Sequence, residues 1–185
     1  MASWFWIAFG LSVLALAGCT ATAGLPSYGN VPDFALIDQS NQPFLSQNTL
    51  RGKVWIADFI YTNCPGPCPR MSAQMRQVDT ALRGLKDLRL ISFTVDPARD
   101  TPEVLAKYAG HYDAEPGVWY FLTGSQADLH NLARNVFLLG DVTGDLQHST
   151  RFVLVDRQSR LRGYYLTSEE DAIPRLIADA KRVSQ

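Results

Sequence analysis

One stretch constrains this chain more than any other: the near-continuous apolar run Val54-Trp55-Ile56-Ala57-Asp58-Phe59-Ile60-Tyr61. Without polar alternation, such a run reads as a central strand covered on both faces. The turn Leu50-Arg51-Gly52-Lys53 leads into it. Asp58 is its one acid, and an acid inside a buried strand is either paired or functional; pairing is the expectation. Immediately after the run come Cys64-Pro65-Gly66-Pro67-Cys68-Pro69. Met71, Met75, Val78, Leu82 and Leu85 then recur at helical spacing, which predicts a helix from about Pro69 to Gly84. Two sulfurs thus sit where a buried strand hands over to a helix.

The remaining chain alternates in the same manner. Phe34–Asp38 and Pro43–Leu45 predict a short hairpin, and Leu88–Val95 a second core strand. Thr101, Pro102 and Glu103 open a helix reaching about Tyr112, with Thr101 as N-cap. Val118–Leu122 is a third core strand, followed by a helix capped by Ser125 and running to about Val136. Ser149–Asp156 and Leu161–Leu166 form a closing hairpin, and a terminal helix starts near Ser168. The order β-(Cys loop)-α-β-α-β-α-β-β-α predicts an α/β protein with a thioredoxin-like fold. Its central mixed β-sheet is flanked by helices and carries an N-terminal β-hairpin extension.

The N-terminus has its own logic. Residues 1–18 hold no charged side chain, and the run ends in Leu16-Ala17-Gly18-Cys19, which matches a bacterial lipobox. The expectation is a lipoprotein signal peptide over 1–18 and lipid attachment at Cys19. A tether follows over 19–31, rich in small residues, Pro and Gly, and one domain spans 32–185. An uncleaved membrane helix over about residues 2–25 is the alternative, because the n-region lacks Lys and Arg. Either way the domain is expected on the extracytoplasmic side of a bacterial envelope. A net charge of −1 without a basic stripe gives no footprint for nucleic acid.

With Cys19 accounted for, Cys64 and Cys68 remain as a local dithiol. A helix N-terminus favours thiolate, and a loop helical from Pro65 onward would put both sulfurs on one face. That arrangement permits a disulfide or a shared metal. Three residues intervene, against two in thioredoxin-type redox motifs, so a third ligand becomes the discriminating question. His130 and His111 sit on predicted helices and read as structural. His148 directly precedes the closing hairpin, whose first strand lies near the cysteine loop in a thioredoxin-like fold. Two sulfurs and one imidazole suit copper, Cu(I) above all. Peroxidase chemistry is disfavoured, since Thr62-Asn63-Cys64 is one residue short of the Thr-x-x-Cys pattern.

Three segments together resemble the Sco/SenC family of membrane-anchored copper proteins: Tyr61–Pro69, Thr94–Pro102 and His148–Asp156. The resemblance covers about residues 32–183. It implies one copper ion, as Cu(I) or Cu(II), held by Cys64, Cys68 and His148. It also implies a role in assembling the binuclear copper centre of cytochrome c oxidase subunit II, or of another copper-receiving protein, alongside other periplasmic copper chaperones. Metallochaperone, thiol–disulfide reductant and copper or redox sensor are the roles it leaves open. Asp96, heading the Asp-Pro loop, matches a family acid linked to partner contact or ligand support. Gly66-Pro67 stands where many members carry Asp and an apolar residue.

Overall fold

The computed structural model describes residues 24–140 and 149–185. Seven strands form one sheet: β1 Ala35–Asp38, β2 Pro43–Leu45, β3 Val54–Ile60, β4 Leu88–Thr94, β5 Trp119–Thr123, β6 Arg151–Val155 and β7 Leu161–Leu166. Their spatial order is β2-β1-β5-β4-β3-β6-β7. The parallel pairs are β3 with β4 and β4 with β5; every other neighbouring pair is antiparallel. The helices are α1 Ser46–Thr49, α2 Cys68–Leu82, α3 Pro102–His111, α4 Gln126–Asn131 and α5 Ala172–Val183.

All seven residues of β3 are buried, as its unbroken apolar run requires. The period of two sorts them between faces. Val54, Ile56 and Ile60 join a core that includes Met71, Met75 and Val78 of α2, Leu105 of α3 and Leu176 of α5. Trp55, Ala57 and Phe59 join the opposite core with Phe93, Leu129, Leu132 and Phe137. By this parity Asp58 lies on the α2 face. Gly52 supplies the positive φ of +73° that the turn into β3 needs.

The helix predicted from Ser125 to Val136 is two pieces. After α4, residues Leu132–Val136 form one turn of π-helix, which places Phe137 edge-on to Trp55 at 5.8 Å and to Phe59 at 5.5 Å. The terminal helix begins at Ala172 rather than near Ser168, because Ser168–Asp171 form a turn in which the Glu169 N–H donates to the Leu166 carbonyl.

The domain's packing also reaches further toward the N-terminus than residue 32. The Tyr28 N–H donates to the Leu161 carbonyl at 2.9 Å, and the Leu161 N–H returns to the Gly29 carbonyl at 2.9 Å. Arg162 holds the Leu25 carbonyl, and the Tyr28 ring meets Tyr164 edge-on at 5.2 Å. Composition reads residues 25–31 as tether, yet they line the outer edge of β7. Backbone pairing with that free edge outweighs their weak local propensity.

β3 delivers its C-terminal end to the cysteine loop. At its other end, Asp87 joins Lys53 at 2.6 Å and Arg157 at 3.0 Å. β6 runs antiparallel to β3, with Ala57 opposite Val153 and Trp55 opposite Val155, so the chain enters β6 at the cysteine-loop end of the sheet. No helix among the described residues is long and apolar enough to cross a membrane.

Candidate functional site

Cys68 is the first residue of α2, whose N-cap is Pro67; Cys64 precedes the helix. The helix thus starts within a residue of the Pro69 expected from sequence, and the loop is not helical from Pro65 onward. Two prolines within three residues, neither carrying an N–H, keep Pro65-Gly66-Pro67 a series of bends. The sulfurs still meet, through the folding of the loop rather than through helical repeat.

Both thiols are free and buried, Cys64 at 8% and Cys68 at 3% exposure. Their environments drive them apart. Burial opposes ionisation of Cys64. Hydrogen bonds from the Cys68 side chain, the Cys68 and Gly66 N–H groups and Tyr61 more than offset it, leaving Cys64 below the ordinary thiol value. Cys68 is pushed up to about 12, first by burial, then by donating to Cys64, with the charges of Cys64 and Asp58 adding. The two thiols therefore differ, Cys64 giving up its proton more readily and Cys68 less readily than an ordinary thiol.

Asp58 is fully buried on this face. The ion pair expected from sequence is not found among the described residues. Burial raises its pKa to about 7, and hydrogen bonding from its register partner Ser92 and its own backbone offsets only part of that; the Ser92 hydroxyl, while accepting the Trp119 indole N–H at 3.0 Å, still has its proton to donate.

Asp96 does not touch the sulfurs. Its carboxylate accepts from Arg99 at 2.9 Å, and its N–H donates to the Thr94 hydroxyl at 2.9 Å. The acid that reaches the cysteine loop is Asp100, which sequence reading passed over. Only 1% exposed, it accepts from the Thr62 N–H at 3.1 Å, the Thr62 hydroxyl at 2.5 Å and the Thr94 hydroxyl at 2.5 Å. Nothing in the order Asp96-Pro97-Ala98-Arg99-Asp100 says which acid turns inward. Tyr61 heads the segment that carries the family resemblance, but nothing in the sequence says that it hydrogen-bonds Cys64.

The soft, free, juxtaposed sulfurs fit a soft metal ion. Among the described residues no group of three His, Cys, Asp or Glu side chains is arranged to hold one. His148, three residues before β6, and Cys19 lie outside the described residues. His111 ends α3, edge-on to Tyr112 at 5.0 Å, and His130 lies in the last turn of α4.

Comparison with known proteins places the chain. A family model described as SCO1/SenC matches residues 25–185. The chain belongs to the SCO1/SenC family. It is 35% identical over 158 residues to the SCO1 protein homolog of Bacillus subtilis, covering 77% of this chain and 82% of that one. Among solved structures it is similar to BsSco, described as a member of the Sco family of cytochrome c oxidase assembly proteins with a disulfide switch. The TM-score is 0.75 at 30% identity, covering 88% and 98% of the two chains. Bradyrhizobium japonicum ScoI, solved with copper bound, is similar at a TM-score of 0.66 and 25% identity, covering 82% and 98%. The thioredoxin-like architecture read from element order is that of these Sco proteins.

Proposed function

We propose that this Sco/SenC protein is a copper metallochaperone that binds one copper ion through Cys64, Cys68 and His148. It would pass that ion to a receiving protein during cytochrome c oxidase assembly. The reading rests on one observation above the others: two free, buried, mutually hydrogen-bonded thiols at the strand-to-helix junction of a Sco/SenC chain. Copper and oxidase assembly belong to its relatives' descriptions. Entry of β6 at the cysteine-loop end of the sheet supports His148 as the third ligand.

Copper here is cargo. Cys64 is the sulfur poised to meet it, being already biased toward thiolate. Binding to both sulfurs expels the proton that Cys68 otherwise keeps, so loading releases acid and weakens as pH falls. Release follows by exchange, the partner's thiolates displacing Cys64 and Cys68 in turn. Asp96, at the rim and tied to Arg99, serves partner contact rather than ligation. Cys19 carries the lipid that holds the domain on the outer face of the membrane.

The unequal thiols favour a second activity at the same site. The Cys64 thiolate attacks a partner disulfide, one partner sulfur leaves as thiolate, and a mixed disulfide forms. Cys68 then displaces the second partner sulfur, and its proton goes to the departing thiolates. Two electrons pass to the partner and Cys64–Cys68 becomes a disulfide.

Copper titration of Cys64→Ser, Cys68→Ser and His148→Ala tests the first reading. Each is expected to lose at least tenfold in Cu(I) affinity against a chromogenic chelator. Undiminished binding in all three would refute it. Reduction of a model disulfide that survives His148→Ala but not either cysteine change supports the second.

A further inference from the structure

We propose that Asp100 is a positioning residue for the cysteine loop. By clamping Thr62, two residues before Cys64, its buried carboxyl holds that sulfur in reach of Cys68 and couples the loop to the Asp96 turn. The contacts form a continuous chain. The Asp96 N–H donates to the Thr94 hydroxyl at 2.9 Å, Thr94 donates to Asp100 at 2.5 Å, and Asp100 receives both donors of Thr62. The Asp100 N–H closes the turn on the Asp96 carbonyl at 2.9 Å. Among the described residues no basic side chain pairs with Asp100, so its three donor contacts are what hold it in place.

Three features distinguish a positioning role from mere packing. The bonds join segments 38 residues apart in sequence rather than neighbours in one turn. Two of them fall on one residue, and a backbone N–H held together with its own side-chain hydroxyl fixes both the place and the rotation of Thr62. Finally, the stretch beyond, Asn63–Pro67, belongs to no strand or helix, so the Thr62 clamp fixes its start while the Gly66 and Cys68 N–H groups receive the Cys64 sulfur at its far side. Holding two thiols together raises their effective concentration and favours their disulfide. Any partner that grips the Asp96–Arg99 rim pulls on the same chain of bonds and thereby on Cys64.

The inference rests on reading the Cys64–Cys68 loop as the working site, and its test uses copper-free protein, so its failure is separable from failure of copper binding. In a glutathione buffer the two thiols react with one oxidised glutathione to give the Cys64–Cys68 disulfide and two reduced glutathiones, a balanced two-electron exchange. Thr62→Val keeps the side chain's shape and removes only the hydroxyl. We expect it to lower the constant for disulfide formation roughly threefold to tenfold, and Asp100→Ala to lower it further. The double variant should match Asp100→Ala alone, and Asp100→Asn, which keeps one acceptor oxygen, should recover part of the loss. Constants equal to wild type in folded Thr62→Val and Asp100→Asn would overturn the proposal. So would effects of Thr62→Val and Asp100→Ala that simply add. Should Asp100→Ala fail to fold, Thr62→Val, Asp100→Asn and their combination decide the question by the same criteria.

Discussion

Asp58→Asn offers a sharp test of the electrostatics beneath the site. The carboxyl is fully buried in β3 with no ion-pair partner among the described residues, and burial raises its pKa from 3.8 to about 7. Between those values the folded protein holds a proton that the unfolded chain has given up, so stability falls as pH rises. At about 1.4 kcal/mol per pH unit, the cost is under about 1 kcal/mol at pH 4, about 3 at pH 6, and about 4 at pH 8, where it levels off. Asparagine cannot ionise. Its amide adds a penalty of about 1–3 kcal/mol for burial without partners, but that penalty is the same at every pH. The informative quantity is thus the difference between variant and wild type as a function of pH. Urea unfolding followed by circular dichroism from pH 4 to pH 8 measures it. The variant should gain about 3–4 kcal/mol relative to wild type across that range, most of it between pH 4 and 7. A difference that stays flat within about 1 kcal/mol, or runs the other way, would show that Asp58 is ionised at no special cost in the fold.

Two further outcomes follow from the same structure. With Cys64 below the ordinary thiol value and Cys68 pushed up to about 12, limited alkylation of the reduced protein at pH 8 should modify Cys64 and spare Cys68; peptide mass spectrometry showing equal rates would contradict the split. Asp156 receives Arg160 and Arg162 at 2.8 Å each while 3% exposed, so Asp156→Asn should cost about 2–3 kcal/mol in urea unfolding at pH 7. Burial works against its ionisation, but bonds from Arg160 and Arg162 bring the pKa below the usual carboxylate range; that contribution is present at neutral pH and lost as pH falls through the lowered value. A variant as stable as wild type at pH 7 would contradict it.

Much of the architecture is local, and local physics is legible in a sequence. The unbroken apolar run had to be a strand covered on both faces, Thr101-Pro102-Glu103 had to start a helix, and the Cys loop had to fall at a strand–helix junction. These follow from side-chain period, proline geometry and orphan N–H groups, none of which needs a distant partner. Two of the places where the reading slipped had a distant partner behind them. Leu25 and Tyr28 look like tether until the β7 edge is there to pair with them. The turn Leu132–Val136 leaves α-helical geometry, and Phe137 beyond it packs against Trp55 and Phe59.

The site divides along the same line. That Cys64 and Cys68 sit as a local pair at a strand–helix junction was evident from spacing and from what surrounds them. That Cys64 gives up its proton more readily than Cys68 was not, because the difference arises from burial, from Tyr61, from the order of hydrogen bonds within the loop, and from a buried acid in the strand that leads into it. Sequence offered Asp58, Asp96 and Asp100 as three similar carboxyls. Tertiary structure made them different: Asp58 is fully buried with no ion-pair partner among the described residues, Asp96 is half-buried and paired with Arg99, and Asp100 turns inward onto Thr62. Residue type and spacing decide which chemistry a chain can carry. Desolvation and through-space bonding, which exist only once the chain is packed, decide which atom carries it.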